Sequence, residues 1–118
     1  MRAKERSASL RVTITRLIHD GTYPDWIEAE FTDTDGKNWI LREKVPSLGI
    51  EDEDVEYLPA PFEMPCRVLE ERLSQTGELL KRITLEEEPY VISESSRHAL
   101  TCWVRASDLS DGWAEDQK

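Results

Sequence analysis

Two stretches of this chain fold back on themselves in registers that satisfy apolar and charged positions together. Few arrangements other than an antiparallel sheet can use that property. In the first, Trp26 opens a strand in which Ile27, Ala29 and Phe31 face one way and Glu28 and Glu30 the other. Thr34-Asp35-Gly36-Lys37 then signals a turn. A two-residue Asp35-Gly36 turn would pair Phe31 with Ile40 but leave Ala29 opposite Arg42. A three-residue loop with a left-handed Gly36 pairs Phe31 with Trp39, Ala29 with Leu41 and Glu28 with Arg42. The second register is preferred because it stacks apolar on apolar and sets opposite charges across from each other. Its return strand runs from about Lys37 to Val45 and stops at Pro46.

The second stretch is more ambiguous. Arg67–Leu73 and Glu78–Ile83 contain strong helix formers, so a helical hairpin over 66–85, giving an α+β fold, is a rival. Each arm is nevertheless short for a stable helix. A β-hairpin looping at Gln75-Thr76-Gly77 pairs Leu73 with Leu79, Glu71 with Lys81, Glu70 with Arg82 and Leu69 with Ile83. The β reading is the one adopted here.

Other segments agree. Leu10, Val12 and Ile14 alternate with Arg11, Thr13 and Thr15, a period of two that extends to Ile18 and ends at His19-Asp20-Gly21. A sixth strand is expected over Tyr90–Glu94. After a turn at Ser95-Ser96-Arg97, a seventh follows over Ala99–Arg105, with Leu100, Cys102 and Val104 inward. Ala106–Leu109 reads as a closing 3₁₀ turn. The expectation is an all-β protein, a small antiparallel meander of six to seven strands curled into an SH3-like or OB-like barrel. At 118 residues it is a single domain, with an ordered core over about 9–109 and solvated tails at 1–8 and 110–118.

Charge is the main functional signal. The chain carries a formal net charge of -10, which opposes binding to nucleic acid phosphates. Between Lys44 and Arg67 there is no Lys or Arg, yet Glu51, Asp52, Glu53, Asp54, Glu56 and Glu63 lie there. Pro46, Gly49, Pro59 and Pro61 also lie in this stretch, which has no clear strand character. Like charges this dense persist where water or a basic molecule meets them, so Glu51, Asp52, Glu53, Asp54 and Glu56 are read as a binding loop for a basic protein. Calcium is a weaker reading, because the EF-hand glycine and terminal glutamate are missing.

Of the four tryptophans, Trp39 falls in the core by its pairing. Trp26 and Trp103 are out of phase with their apolar neighbours, so they cover the ends of a thin core or form a ligand platform; Trp113 lies in the tail. His19 and His98 each flank a turn, without a nucleophile elbow or zinc spacing. Cys66 and Cys102 sit in apolar segments and read as core thiols. No cofactor, metal or catalytic motif is expected. The cationic N-terminus lacks an apolar signal core and no stretch is long enough to span a membrane, which predicts a cytoplasmic protein.

The run WIEAEFTDTDGKNWILREKVP from Trp26 to Pro46, with MPCRVLE and TGELLKRITLEEEPYVIS, resembles a group of small bacterial proteins of unknown function. The resemblance implies a compact β domain and no particular activity. Three functions therefore stand as expectations. A non-catalytic acidic protein-binding module, such as an immunity-type inhibitor of a basic toxin, comes first. A small-ligand-binding or enzymatic barrel using His98 or exposed carboxylates comes second. A scaffolding domain that offers a sheet edge comes third.

Overall fold

The computed structural model describes residues 6–19, 21, 24–86, 88–97 and 99–110. They form nine antiparallel strands in one sheet, curled into a half-barrel, and no α-helix is among them. The strands are β1 (Arg6–Ile18), β2 (Trp26–Thr32), β3 (Asn38–Lys44), β4 (Ala60–Leu73), β5 (Leu79–Leu85), β6 (Tyr90–Val91), β7 (Ser96–Arg97), β8 (Thr101–Arg105) and β9 (Leu109–Ser110). Their order in the sheet is β7-β6-β3-β2-β1-β4-β5-β8, with β9 returning to pair with β1.

The first hairpin has the expected register, with Phe31 opposite Trp39, Ala29 opposite Leu41 and Glu28 opposite Arg42. Its turn is organised by Asp33, which is 7% exposed. One carboxylate oxygen, Oδ1, accepts the main-chain N–H of Asp35 at 2.9 Å and of Lys37 at 3.0 Å, and Oδ2 accepts the Trp39 indole N–H at 2.9 Å. Gly36 takes φ 83°, a left-handed conformation that costs glycine little. The turn also reaches across the half-barrel, where the Thr34 N–H donates to the Trp103 carbonyl on β8 at 2.9 Å.

Residues 66–85 are β, and the helical alternative is excluded. Leu73 faces Leu79, Glu71 faces Lys81 and Glu70 faces Arg82 as expected, but Ile83 is opposite Val68 and not Leu69. A bulge at Leu69 absorbs the extra residue and keeps Val68 and Ile83 on the core side (5% and 0% exposed).

Five other expectations are corrected. β1 begins at Arg6 and Ala8 is buried, because β4 is long enough to pair with β1 from Val68 to Ala60. β4 itself starts inside the stretch expected to be irregular and contains Pro61 and Pro65. The Glu86 N–H donates to the Pro65 carbonyl, so this residue turns its main chain away from β1. Pro61 is in phase with Pro65, so neither proline interrupts the β1 ladder. The sixth strand is only Tyr90–Val91 and gives way to a 3₁₀ turn over Ile92–Glu94. Ser96–Arg97, expected to be a turn, folds back on β6 as its own strand, with Tyr90 opposite Arg97. β8 starts at Thr101.

Leu10, Ile14, Ile27, Leu41, Ile83, Leu100, Val91 and Val104 are the largest apolar side chains fully enclosed in the half-barrel. Leu80, although buried, lies outside this cluster, opposite Arg72 and Arg105. Removing the acceptor at the first turn orphans three donors. We therefore expect Asp33→Ala to cost about 3 kcal/mol, since the buried Trp39 indole N–H left unsatisfied costs roughly 1–3 kcal/mol and the two part-buried turn N–H groups add to it. A urea midpoint unchanged from that of the unmutated chain would show that the turn is held by other means.

Candidate functional site

The acidic stretch is folded. A 3₁₀ turn over Val45–Leu48 is ended by Gly49 at φ 67°, whose N–H donates to the carbonyls of Pro46 and Val45. Ile50 then enters the core, and a second 3₁₀ turn covers Asp52–Val55. Its N-terminus is closed reciprocally. Asp54 Oδ2 accepts the Glu51 N–H at 2.8 Å, and the Glu51 side chain accepts the Asp54 N–H. Val55 and Leu58 are half-buried and pack against the core.

The acids therefore divide by role. Glu51 and Asp54 fix the turn, Asp52 is its first residue, and Glu53 and Glu56 point into solvent. Tyr57 follows at 79% exposure, the most exposed large hydrophobic residue described. Among the described residues, no Lys or Arg lies within ion-pair distance of Glu51, Glu53, Asp54 or Glu56. Glu63 belongs elsewhere: it is in β4, opposite Arg11.

The two tryptophans lie apart from each other, on β2 and β8. Trp26 lines a cavity of about 290 Å³ with Ile18, Arg42 and Tyr90. The Lys44 ammonium lies 5.6 Å from its ring centre. Arg42 is tied to Glu28 at 2.7 Å, and Arg16 approaches the same carboxylate at 3.6 Å. Trp103 is half-buried, and the Arg72 guanidinium lies 4.2 Å above its ring centre. One face of that indole is thus covered by a cation from its own chain, which weakens the reading of Trp103 as a stacking platform.

Other chemistry is sparse. His19 Nδ1 lies 3.0 Å from Asp25 Oδ2 at the surface, and His98, Trp113 and residues 111–118 of the expected C-terminal tail lie outside the described residues. Among the described residues no group of His, Cys, Asp and Glu is arranged to hold a metal ion, and no helix is long and apolar enough to cross a membrane. Both cysteines are free and buried. Burial, helped by the nearby Glu86 charge, pushes the Cys66 thiol up to about 12. Burial first, then Asp33, Cys66 and Asp35 against the opposing pull of Lys37, pushes Cys102 up to about 12 as well.

A feature that sequence reasoning missed is a second cavity, of about 450 Å³, where β1 passes between β2 and the 3₁₀ turn Ala106–Asp108. Arg11, Thr32, Asn38, Arg105 and Asp108 are among its lining residues. Nothing in the alternating pattern distinguishes them from ordinary outward-facing strand residues. Comparison with protein-family models, curated proteins and solved structures returns no match for the chain.

The thiol shifts yield a reactivity prediction. At pH 8 both cysteines remain protonated and should fail to react with a disulfide reagent until the chain is unfolded. A thiol whose pKa is raised by folding stabilises the fold below its ordinary value of 9.0, and that contribution is lost as pH rises from 9.0 towards about 12. Fast labelling of the folded protein at pH 8 would contradict the burial of both groups.

Proposed function

We propose that this protein is a non-catalytic binding module that captures a basic protein through the acidic turn Glu51–Glu56 and the adjoining Tyr57. The observation that carries the reading is the combination of uncompensated charge with fixed geometry. The carboxylates of Glu53 and Glu56 stand in solvent without an ion-pairing cation among the described residues. The turn that presents them is closed by its capping box and held by Ile50, Val55 and Leu58. A loop already ordered before binding loses less conformational entropy in the complex. An exposed tyrosine beside it is the residue type that supplies contact area at low entropic cost, while the charges accelerate encounter.

A small acidic inhibitor of a basic, nuclease-type toxin has this chemistry, and we infer that class as the most specific version. The fold reading that accompanies it is an SH3-like or OB-like barrel. It is supported by the 3₁₀ turn Ala106–Asp108, which carries the chain from β8 to β9 and back onto β1.

The test is capture from a lysate of the source cells at low salt. The expected partners are basic. They should be released between about 50 and 300 mM salt, as the Debye length shrinks towards the size of the contact. Combined Glu53→Lys and Glu56→Lys should slow association by roughly tenfold or more, and Tyr57→Ala should speed dissociation. If the charge-reversed protein retains the same partners with unchanged association rates, the acidic turn is a solvated loop and the reading fails.

A further inference from the structure

The 450 Å³ cavity occupies a gap in the hydrogen-bond ladder of the half-barrel. On one side of β1 the ladder with β2 stops at Thr13 opposite Glu30, and the ladder with β9 begins at Leu10 opposite Leu109. Among the described residues, Arg11 and Val12 have no registered strand neighbour on that side.

Strand alternation identifies the backbone groups that face the gap. Pro65 directs its carbonyl to Glu86, away from β1, so Ser9, which pairs with Pro65, directs its own main chain away from β4. Arg11 is in phase with Ser9, and its N–H and C=O therefore point into the gap. On β2 the Asp33 N–H donates across the hairpin to the Lys37 carbonyl, so the preceding residue, Thr32, faces the opposite way. Thr34, in phase with Thr32, confirms the direction by donating to Trp103 on β8. Arg11 and Thr32 thus present main-chain donors and acceptors from opposite walls of one cavity.

The charged groups around this slot are mixed in sign. Arg11 Nη1 donates to the Ser107 carbonyl at 3.0 Å, and Arg105 pairs with Glu78 at 3.0 Å. Each guanidinium keeps further donors free of those contacts. Glu30 accepts the Asn38 amide at 2.8 Å. Asp108 makes no ion pair or side-chain hydrogen bond among the described residues. An apolar ligand would strip water from all of these groups without replacing it. An inorganic anion would leave Asp108 and the two carbonyls facing it. A molecule with an amide, an ammonium and a carboxylate meets each group with its complement.

We infer that the gap between β1 and β2 binds an amino-acid-like zwitterion of dipeptide size. Its amide bridges the main chains of Arg11 and Thr32, its ammonium faces Asp108 and Glu30, and its carboxylate faces Arg105 and Arg11. The volume falls within the range of small-ligand sites, roughly 300–1,000 Å³. This site is separate from the acidic turn, and either can fail without the other.

The experiment is a titration of the full ¹⁵N-labelled chain with alanyl-alanine, read by amide chemical shifts. Saturable shifts are expected at Arg11, Thr13 and Thr32. Blocking either end, as N-acetyl-alanyl-alanine or alanyl-alanine amide, should weaken binding about tenfold, the loss of one charge-assisted hydrogen bond. Asp108→Asn should weaken alanyl-alanine to the level of the acetylated form and leave the acetylated form unchanged. Thr32→Trp, which fills the cavity, should abolish the shifts while amide dispersion elsewhere reports an intact fold. Absence of saturable shifts at Arg11 and Thr32 up to about 10 mM, weaker than any small-ligand affinity of interest, would overturn the inference. So would equal binding of the free and blocked dipeptides, or binding by Asp108→Asn that still prefers the free ammonium.

Discussion

The half-barrel depends on one buried carboxylate. Asp33 accepts three N–H groups, two from its own turn and one from the Trp39 indole, and so holds the end of the β2–β3 hairpin in a single shape. That shape projects Thr34 towards β8, where its N–H meets the Trp103 carbonyl. Among the described residues, β8 is otherwise laddered only to β5, so this contact is one of the links that draw the two wings of the sheet together. Burying a carboxylate is costly in isolation. Three donors at hydrogen-bond distance offset that cost and make any other turn conformation leave the charge unpaired.

The chain uses the same turn twice. Ser74 Oγ accepts the N–H groups of Thr76 and Glu78, as Asp33 Oδ1 accepts those of Asp35 and Lys37. In each case a glycine with positive φ sits three residues after the acceptor, Gly36 and Gly77. The second copy has a neutral hydroxyl and no tryptophan to bind, and its hairpin tip is correspondingly exposed, with Leu73 at 68% and Leu79 at 39%. The difference between a turn that reaches across the half-barrel and one that ends in solvent thus comes down to a second carboxylate oxygen and an indole that donates to it.

This repeated turn explains what was legible in the sequence. Both hairpin registers followed from matching apolar and charged positions, and the observed ion pairs Glu28–Arg42 at 2.7 Å, Glu70–Arg82 at 2.7 Å and Glu71–Lys81 at 3.3 Å are the ones that matching selects. The displacement of Leu69 was not legible, because a bulge changes one pairing while conserving the facing of those around it. Ser96–Arg97 was misread because two residues carry no period, and their pairing with Tyr90 and Val91 is imposed from outside. At the acidic turn the charges were legible. Their division into cap and display was not, since the reciprocal contacts of Glu51 and Asp54 arise only once the backbone has turned.

The gap beside Arg11 is legible only from lengths. β1 runs for 13 residues, whereas β2 and β3 have 7 each and β9 has 2. A long strand flanked by short ones must change neighbours, and at the change some main-chain groups lose their ladder partners. Here β4 covers the opposite side of β1 from Arg6 to Ile14 without a break, so the change of neighbour is confined to the other side of β1. The closure imposed by Asp33 sets Thr32 against the same opening from the other wall. Groups left this way are tolerable when water or a ligand reaches them and costly when neither does. An open, charged slot with strand-like donors and acceptors on both sides is therefore the consequence of closing this sheet with strands of unequal length. The residues that fringe it, Arg11, Glu30, Arg105 and Asp108, determine which molecules can use it.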